Sequence, residues 1–241
     1  MKPNVRSFSG AALMLVIIPI FAGLLACMPV PIGDPERSRI DPDLNGVWAM
    51  DGEEDLEGIY LFQPWDKRTW LQVGVGIEAG SKFEGEPPTI ESVDELATVL
   101  KEHPIGEDGI TSRKTVLYKT WLAKIGGKKF MTWELVGGFN DDGGHVPEFW
   151  FVFRLEKVNA NQFELIMLNP EFDGFDDIET PKEYSGDNYA RDMRRTWEKA
   201  IKRNIDDEEM YADPMVMRRL PADAMEGAAE LFEEVIEFED L

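Results

Sequence analysis

The sequence predicts a mainly β fold with α: about eight antiparallel strands in a curved or closed sheet, with three helices, one of them C-terminal. Three observations carry this prediction. Short runs rich in β-branched and aromatic residues recur between Asn45 and Leu168. Several are joined by turn signals of two to five residues. Three longer segments change from alternation to the 3.6-residue period of an amphipathic helix.

The strands follow in order. Asn45–Met50 is the first. Gly58–Gln63 and Thr69–Ile77 flank the turn Pro64-Trp65-Asp66-Lys67-Arg68. Lys114–Ile125 and Lys129–Val136 flank Gly126-Gly127, a pair suited to the positive φ angles of a tight hairpin. Phe149–Lys157 and Phe163–Leu168 flank Val158-Asn159-Ala160-Asn161, and Met215–Leu220 is an eighth strand. Phe149, Phe151, Phe153 and Leu155 share one strand face, while Trp150 and Val152 lie on the other, so this strand is expected to be covered on both sides.

Three helices complete the reading. Ser92–Glu102 opens on a capping box, Ser92 and Glu95, and stops before Pro104. Asn188–Ile205 places Tyr189, Met193, Trp197, Ala200, Ile201 and Ile205 on one stripe. Ala222–Phe238 does the same with Met225, Ala228, Leu231, Phe232, Val235 and Phe238. The alternative to a curved or closed sheet is an open α+β sheet with the two late helices on one face.

Leu44-Asn45-Gly46-Val47-Trp48 opens the body of the chain. Gly46 and Trp48 resemble the Gly-x-Trp motif that opens lipocalins, and the meandering hairpins and terminal helix are similar to theirs. Residues 118–133 and 147–168 resemble stretches of bacterial lipoproteins of unassigned function with lipocalin-like domains. The resemblance implies a lipocalin-like barrel in which an arginine of the last strand, Arg218 or Arg219, packs on Trp48. Helices after the third and seventh strands depart from the lipocalin pattern.

The N-terminus points to export. Lys2 and Arg6 are the only charges in residues 1–26, and an apolar run from Ala11 to Ala26 follows, broken only by Pro19 and Gly23. A cationic start, a short apolar run and small residues at its end describe a secretory signal. The run is 16 residues, shorter than a membrane-spanning helix needs. Leu24-Leu25-Ala26-Cys27 resembles the lipobox of bacterial lipoproteins. That resemblance implies cleavage after Ala26 and membrane attachment through palmitate-type acyl chains on Cys27. Met28, where an aspartate marks inner-membrane retention, implies the outer membrane. Cys27 is the only cysteine, so no intrachain disulfide is available and no thiol is left for catalysis. The expected organisation is a signal peptide at 1–26, a lipidated cysteine with a tether at 27–43, and one globular domain at 44–241. The tether expectation rests on four prolines in residues 28–43, a composition that favours extended structure up to roughly 50 Å long.

The net charge of −22 disfavours nucleic acid, which needs a cationic footprint, and a broad electrostatic dock onto anionic headgroups. The main basic patch is the helix 188–205, with Arg191, Arg194, Arg195, Lys199, Lys202 and Arg203. Lipid headgroups or an acidic partner would suit it. Its expected neighbour is the acidic tail helix with Glu226, Glu230, Glu233, Glu234 and Glu237.

Candidate chemistry is sparse. His103 and His145 are the only histidines, and neither has a nucleophile at motif spacing. Gly74-Val75-Gly76-Ile77-Glu78-Ala79 has the letters of a dinucleotide turn but lacks the helix that must follow; the glycines read as easing a closely packed strand. Asn169, Glu171, Asp173 and Asp177 fit part of a calcium-loop frame, but position twelve is Thr180 rather than glutamate. Asp141-Asp142 and Asp206–Glu209 read as surface solvation. No cofactor is called for. The expected function is therefore a non-catalytic, lipid-anchored envelope protein that binds an apolar small molecule or lipid. A scaffold docking an envelope protein is the alternative, and an envelope enzyme ranks third.

Overall fold

The computed structural model describes residues 28–51, 56–84, 90, 92–138, 150–176, 178 and 187–236. Its strands are β1 (Gly46–Asp51), β2 (Leu56–Pro64), β3 (Trp70–Ala79), β4 (Ile110–Ile125), β5 (Lys128–Gly138), β6 (Trp150–Asn159), β7 (Gln162–Leu168) and β8 (Tyr211–Arg219). They pair antiparallel in chain order, and β8 pairs back onto β1 to close a barrel. The helices are α1 (Val93–Glu102), α2 (Asp187–Arg203) and α3 (Met225–Ile236). The fold is thus the lipocalin-like barrel, not the open α+β sheet, because closure leaves the sheet no free end strand.

Local chemistry sets these elements. Gly126 and Gly127 both take positive φ, which matches the β4–β5 hairpin to the strand twist. Ser92 Oγ accepts the Glu95 N–H and caps α1. β8 starts four residues before its expected position. Asp213-Pro214 look like a strand stop, yet Pro214 sits opposite Ile166 beside an irregularity in the β7–β8 ladder, where a missing N–H is tolerated.

Both faces of the sheet are buried. Trp48, Phe62, Trp70, Met131, Trp133, Phe153, Phe163, Leu165 and Met217 pack together inside the barrel. Outside, α1 and α3 cover β1–β4 through Leu96, Leu100, Leu231 and Phe232 against Val47, Ile59, Val73 and Val75. On another side, Met193, Trp197 and Ile201 of α2 cover Phe130 and Val152. The acidic α3 is therefore packed with α1 in a separate core and is not the neighbour of basic α2, contrary to expectation.

Residues 28–43 also depart from expectation: they form a strap rather than a free tether. The Met28 N–H donates to the Trp150 carbonyl at the start of β6 (2.9 Å), and Met28, Val30 and Ile32 are buried beneath α2. Trp121 Nε1 and Thr132 Oγ1 both donate to the Ile32 carbonyl, at 2.8 and 2.7 Å. The Leu122 N–H donates to Ser38 Oγ (3.0 Å), covering the edge that β4 exposes where it runs past the start of β3. The physical reason is alternation: the prolines keep the segment extended, and every second residue, Met28, Val30 and Ile32, is apolar and faces the sheet.

The strap ends in a short turn, Pro42–Leu44, that shuts one end of the barrel. Leu44 is buried, and its carbonyl accepts Trp48 Nε1 at 2.8 Å. Arg219 lies opposite Trp48 in the β1–β8 ladder, with its guanidinium 4.3 Å from the indole centroid. It also donates to the carbonyls of Asn45 (2.8 Å), Asp43 (2.5 Å) and Ala160 (3.4 Å). Gly46, at φ +124°, makes room: a Cβ there would sit 2.7 Å from Arg219 Nη1. Arg218 is exposed on the outer side.

Two outcomes are expected. Arg219→Ala lowers stability by about 2–3 kcal/mol in urea denaturation, and Arg219→Lys recovers less than half, because an ammonium cannot reach three carbonyls and stack at once. Ile32→Ala costs about 3 kcal/mol, whereas a free tether would register nothing.

Candidate functional site

The barrel interior is layered from the shut end to the opposite mouth. The floor is apolar and fully buried, built by Trp48, Phe62, Trp70, Met131, Phe163 and Met217. Nearer the mouth, Tyr60, Tyr118, Phe151, Met167 and Met215 face inward but are only half-buried. Trp133 links the layers, with ring centroids 4.6 Å from Phe153, 5.3 Å from Tyr118, 5.8 Å from Tyr60 and 6.4 Å from Phe62. Gly74 gives the Tyr60 ring its place, since a Cβ there would lie 2.7 Å from Tyr60 Cε1. The glycines of the dinucleotide-like string therefore serve strand packing.

Between floor and mouth lies a polar step. Gln72 on β3 and Thr120 on β4 are fully buried, and Trp133 on β5 nearly so. Thr120 is directly opposite Trp133, and Gln72 is opposite Tyr118, two residues from Thr120 on the same face of β4. Both amide atoms of Gln72, the Thr120 hydroxyl and Trp133 Nε1 have no hydrogen-bond partner in the protein. Buried polar groups are almost always paired, and leaving one unpaired costs about 1–3 kcal/mol. Three adjacent strands thus present unpaired donors, and one unpaired carbonyl acceptor, toward the barrel axis. Such a set suits a neutral hydroxyl, carbonyl or amide group, or ordered water.

The shut end holds a recess of about 240 Å³, lined by Leu44, Trp48, Leu155 and Phe163 and rimmed by Asp41, Asp43, Lys129 and Lys157. Its charges are already paired. Lys129 Nζ is 2.9 Å from Asp41 Oδ2, and Lys157 pairs with Asp43. Nothing in this recess asks for a ligand. The hydrogen bond from Lys129 holds the Asp41 carboxyl below its ordinary pKa, against the opposing effect of burial.

The other sequence candidates do not converge. Cys27, Ala26, His145, Asp141, Asp142, Asp177 and Thr180 lie outside the described residues. In the partial calcium frame, Asn169 Oδ1 accepts the Glu171 N–H and its amide donates to the Glu209 carbonyl, so Asn169 braces a turn. Asp173 opens a short helical turn. Among the described residues no three His, Cys, Asp or Glu side chains group as metal ligands. His103 caps the end of α1 and packs on Phe83. Asp207 caps the turn Glu208–Met210. Among the described residues, the large exposed apolar side chains are Trp65 in the β2–β3 turn, Val136 on β5 and Val158 on β6, which stand singly.

No protein family, curated protein or solved structure matches this chain.

One pH effect follows from the shut end. A carboxyl with a depressed folded-state pKa contributes stability above its unfolded pKa and loses that contribution as pH falls through the folded value. Stability should therefore decline as pH drops below about 4, and Lys129→Met should flatten that decline in acid titrations followed by tryptophan fluorescence.

Proposed function

We propose that the chain is a non-catalytic, lipid-anchored envelope protein whose barrel binds a small, mostly apolar molecule carrying one neutral hydrogen-bonding group. The observation that supports this best is the unpaired set of Gln72, Thr120 and Trp133 at the foot of a half-buried aromatic and methionine wall. An apolar body would lie against Tyr60, Phe151, Met167 and Met215, and its polar end would meet the buried donors. Pockets of this kind draw affinity from apolar contact and orientation from a few polar groups. No cofactor is needed. The Cys27 lipobox supplies the anchor, and Met28 favours the outer membrane. The scaffold alternative gains no support from the scattered exposed apolar residues.

The test is native mass spectrometry of the protein extracted from membranes, followed by titration of the stripped protein with a long-chain alcohol and the matching alkane. A co-purifying apolar molecule and a preference for the alcohol are expected. Gln72→Leu with Thr120→Val should reduce that preference by about tenfold, while the stripped variant is at least as stable as the parent because unpaired polar groups are gone. Absence of any binding by the parent would reject the reading.

A further inference from the structure

We propose that the exposed face of α2 is the surface that rests on an anionic bilayer, so that one flank of the barrel lies against the membrane. Two independent features share this flank. The first is charge. Arg191, Arg195, Lys199 and Arg203 recur every four residues and form one exposed ridge, with Lys202 beside it. Arg194, by contrast, is largely buried and turned to Asp34 of the strap at 3.7 Å. The acids of the helix are Asp187, Asp192, which contacts Arg191 and Arg195, and Glu198, which faces the strap; exposed Asp173 and Asp176 lie in the turn that Arg203 reaches, and the exposed run Asp206–Glu209 follows the helix. In a protein of net charge −22, this ridge complements a surface of anionic headgroups.

The second feature is where the chain leaves the fold. Gly33 donates its N–H to Glu198 Oε1 at 3.1 Å, and Asp34 meets Arg194, so the strap passes under the middle of α2. Lys202 and Ile205 lie by Gly126, at the β4–β5 hairpin. Followed backwards from Gly33, the strap runs away from that hairpin to Met28, which pairs with β6 and is buried in the cluster that α2 covers. Cys27 is one peptide unit further on, about 3.8 Å between Cα atoms. Whether the apolar segment before Met28 is retained or replaced by acyl chains on Cys27, bilayer-seeking material joins the fold on the flank that α2 covers. The inference therefore does not rest on the ligand reading, nor on cleavage after Ala26.

The experiment uses the full chain purified from membranes and reconstituted into vesicles of phosphatidylcholine with about one-third phosphatidylglycerol. Thr196→Cys on the exposed face of α2 and Glu230→Cys on α3 each receive an environment-sensitive fluorophore, and lipids with headgroup-level quenchers are added. The unsubstituted chain, whose only thiol is Cys27, gives the background. Quenching at position 196 should exceed that at position 230 by about threefold. It should fall toward the level at 230 in Arg191→Glu/Arg195→Glu, in high salt, or when the anionic lipid is omitted. Equal quenching at the two positions would overturn the proposal. So would quenching at 196 that ignores charge reversal and salt, because the anchor alone would then set the pose. The mass of the same preparation reports cleavage and acylation at Cys27 separately, so failure of the lipoprotein reading is distinguishable.

Discussion

Eight strands in a meander close into a barrel only if the last finds the first in register, and Arg219 sits at that seam. Its guanidinium stacks on Trp48 of β1 while its N–H groups bind carbonyls from the strap's last turn, from Asn45 and from the β6–β7 hairpin. Segments far apart in sequence are thus held by one planar cation whose donors point in fixed directions. The absence of a side chain at Gly46 lets the guanidinium in. The same contacts place Leu44 across the floor, so the seam that closes the barrel sideways also shuts it at one end. The interior of the barrel is open to solvent, if at all, only from the side away from that floor.

Two-sided burial is the second organising constraint. A sheet with one wet face alternates apolar and polar residues, whereas these strands carry bulky residues on both faces. The inner set makes an aromatic core, and the outer sets are covered by α1 with α3 and by α2 with the strap. Against this apolar background the trio of Gln72, Thr120 and Trp133 opposes folding by several kcal/mol taken together. Packing alone gives no reason for it, since Leu at 72 and Val at 120 would fill comparable space without leaving a polar atom unpaired.

Much of the fold was legible because its signals are local. Gly126-Gly127 specify a turn, Ser92 and Glu95 a helix start, and alternation in Phe149–Leu155 a two-sided strand. Gly46 and Trp48 also pointed to a basic partner on the last strand, although only geometry separates Arg219 from Arg218, because adjacent strand residues face opposite ways and the register had to be known. Other features were hidden. Four prolines made residues 28–43 look like a spacer, while the apolar alternation of Met28, Val30 and Ile32 was the overlooked sign of docking. Gln72 lies in Leu71-Gln72-Val73, where a polar residue between apolar ones reads as solvent-facing; the second, outer core reverses that reading. The acidic tail helix matched the basic helix in charge but not in place, since composition carries no information about which side of a barrel a helix packs on.

Burial of Met28 bears finally on chronology. An enzyme that cuts before Cys27 must grip the chain on both sides of the bond, yet Met28, Val30 and Ile32 lie sealed between α2 and the sheet. On the proposed lipoprotein reading, cleavage and acylation must come first and docking of the strap last. The barrel then reaches its finished state only after its N-terminus has been processed. On the same reading, a precursor that folded too early would conceal the bond to be cut, so slow completion of the strap would favour processing and firm docking would favour the processed chain.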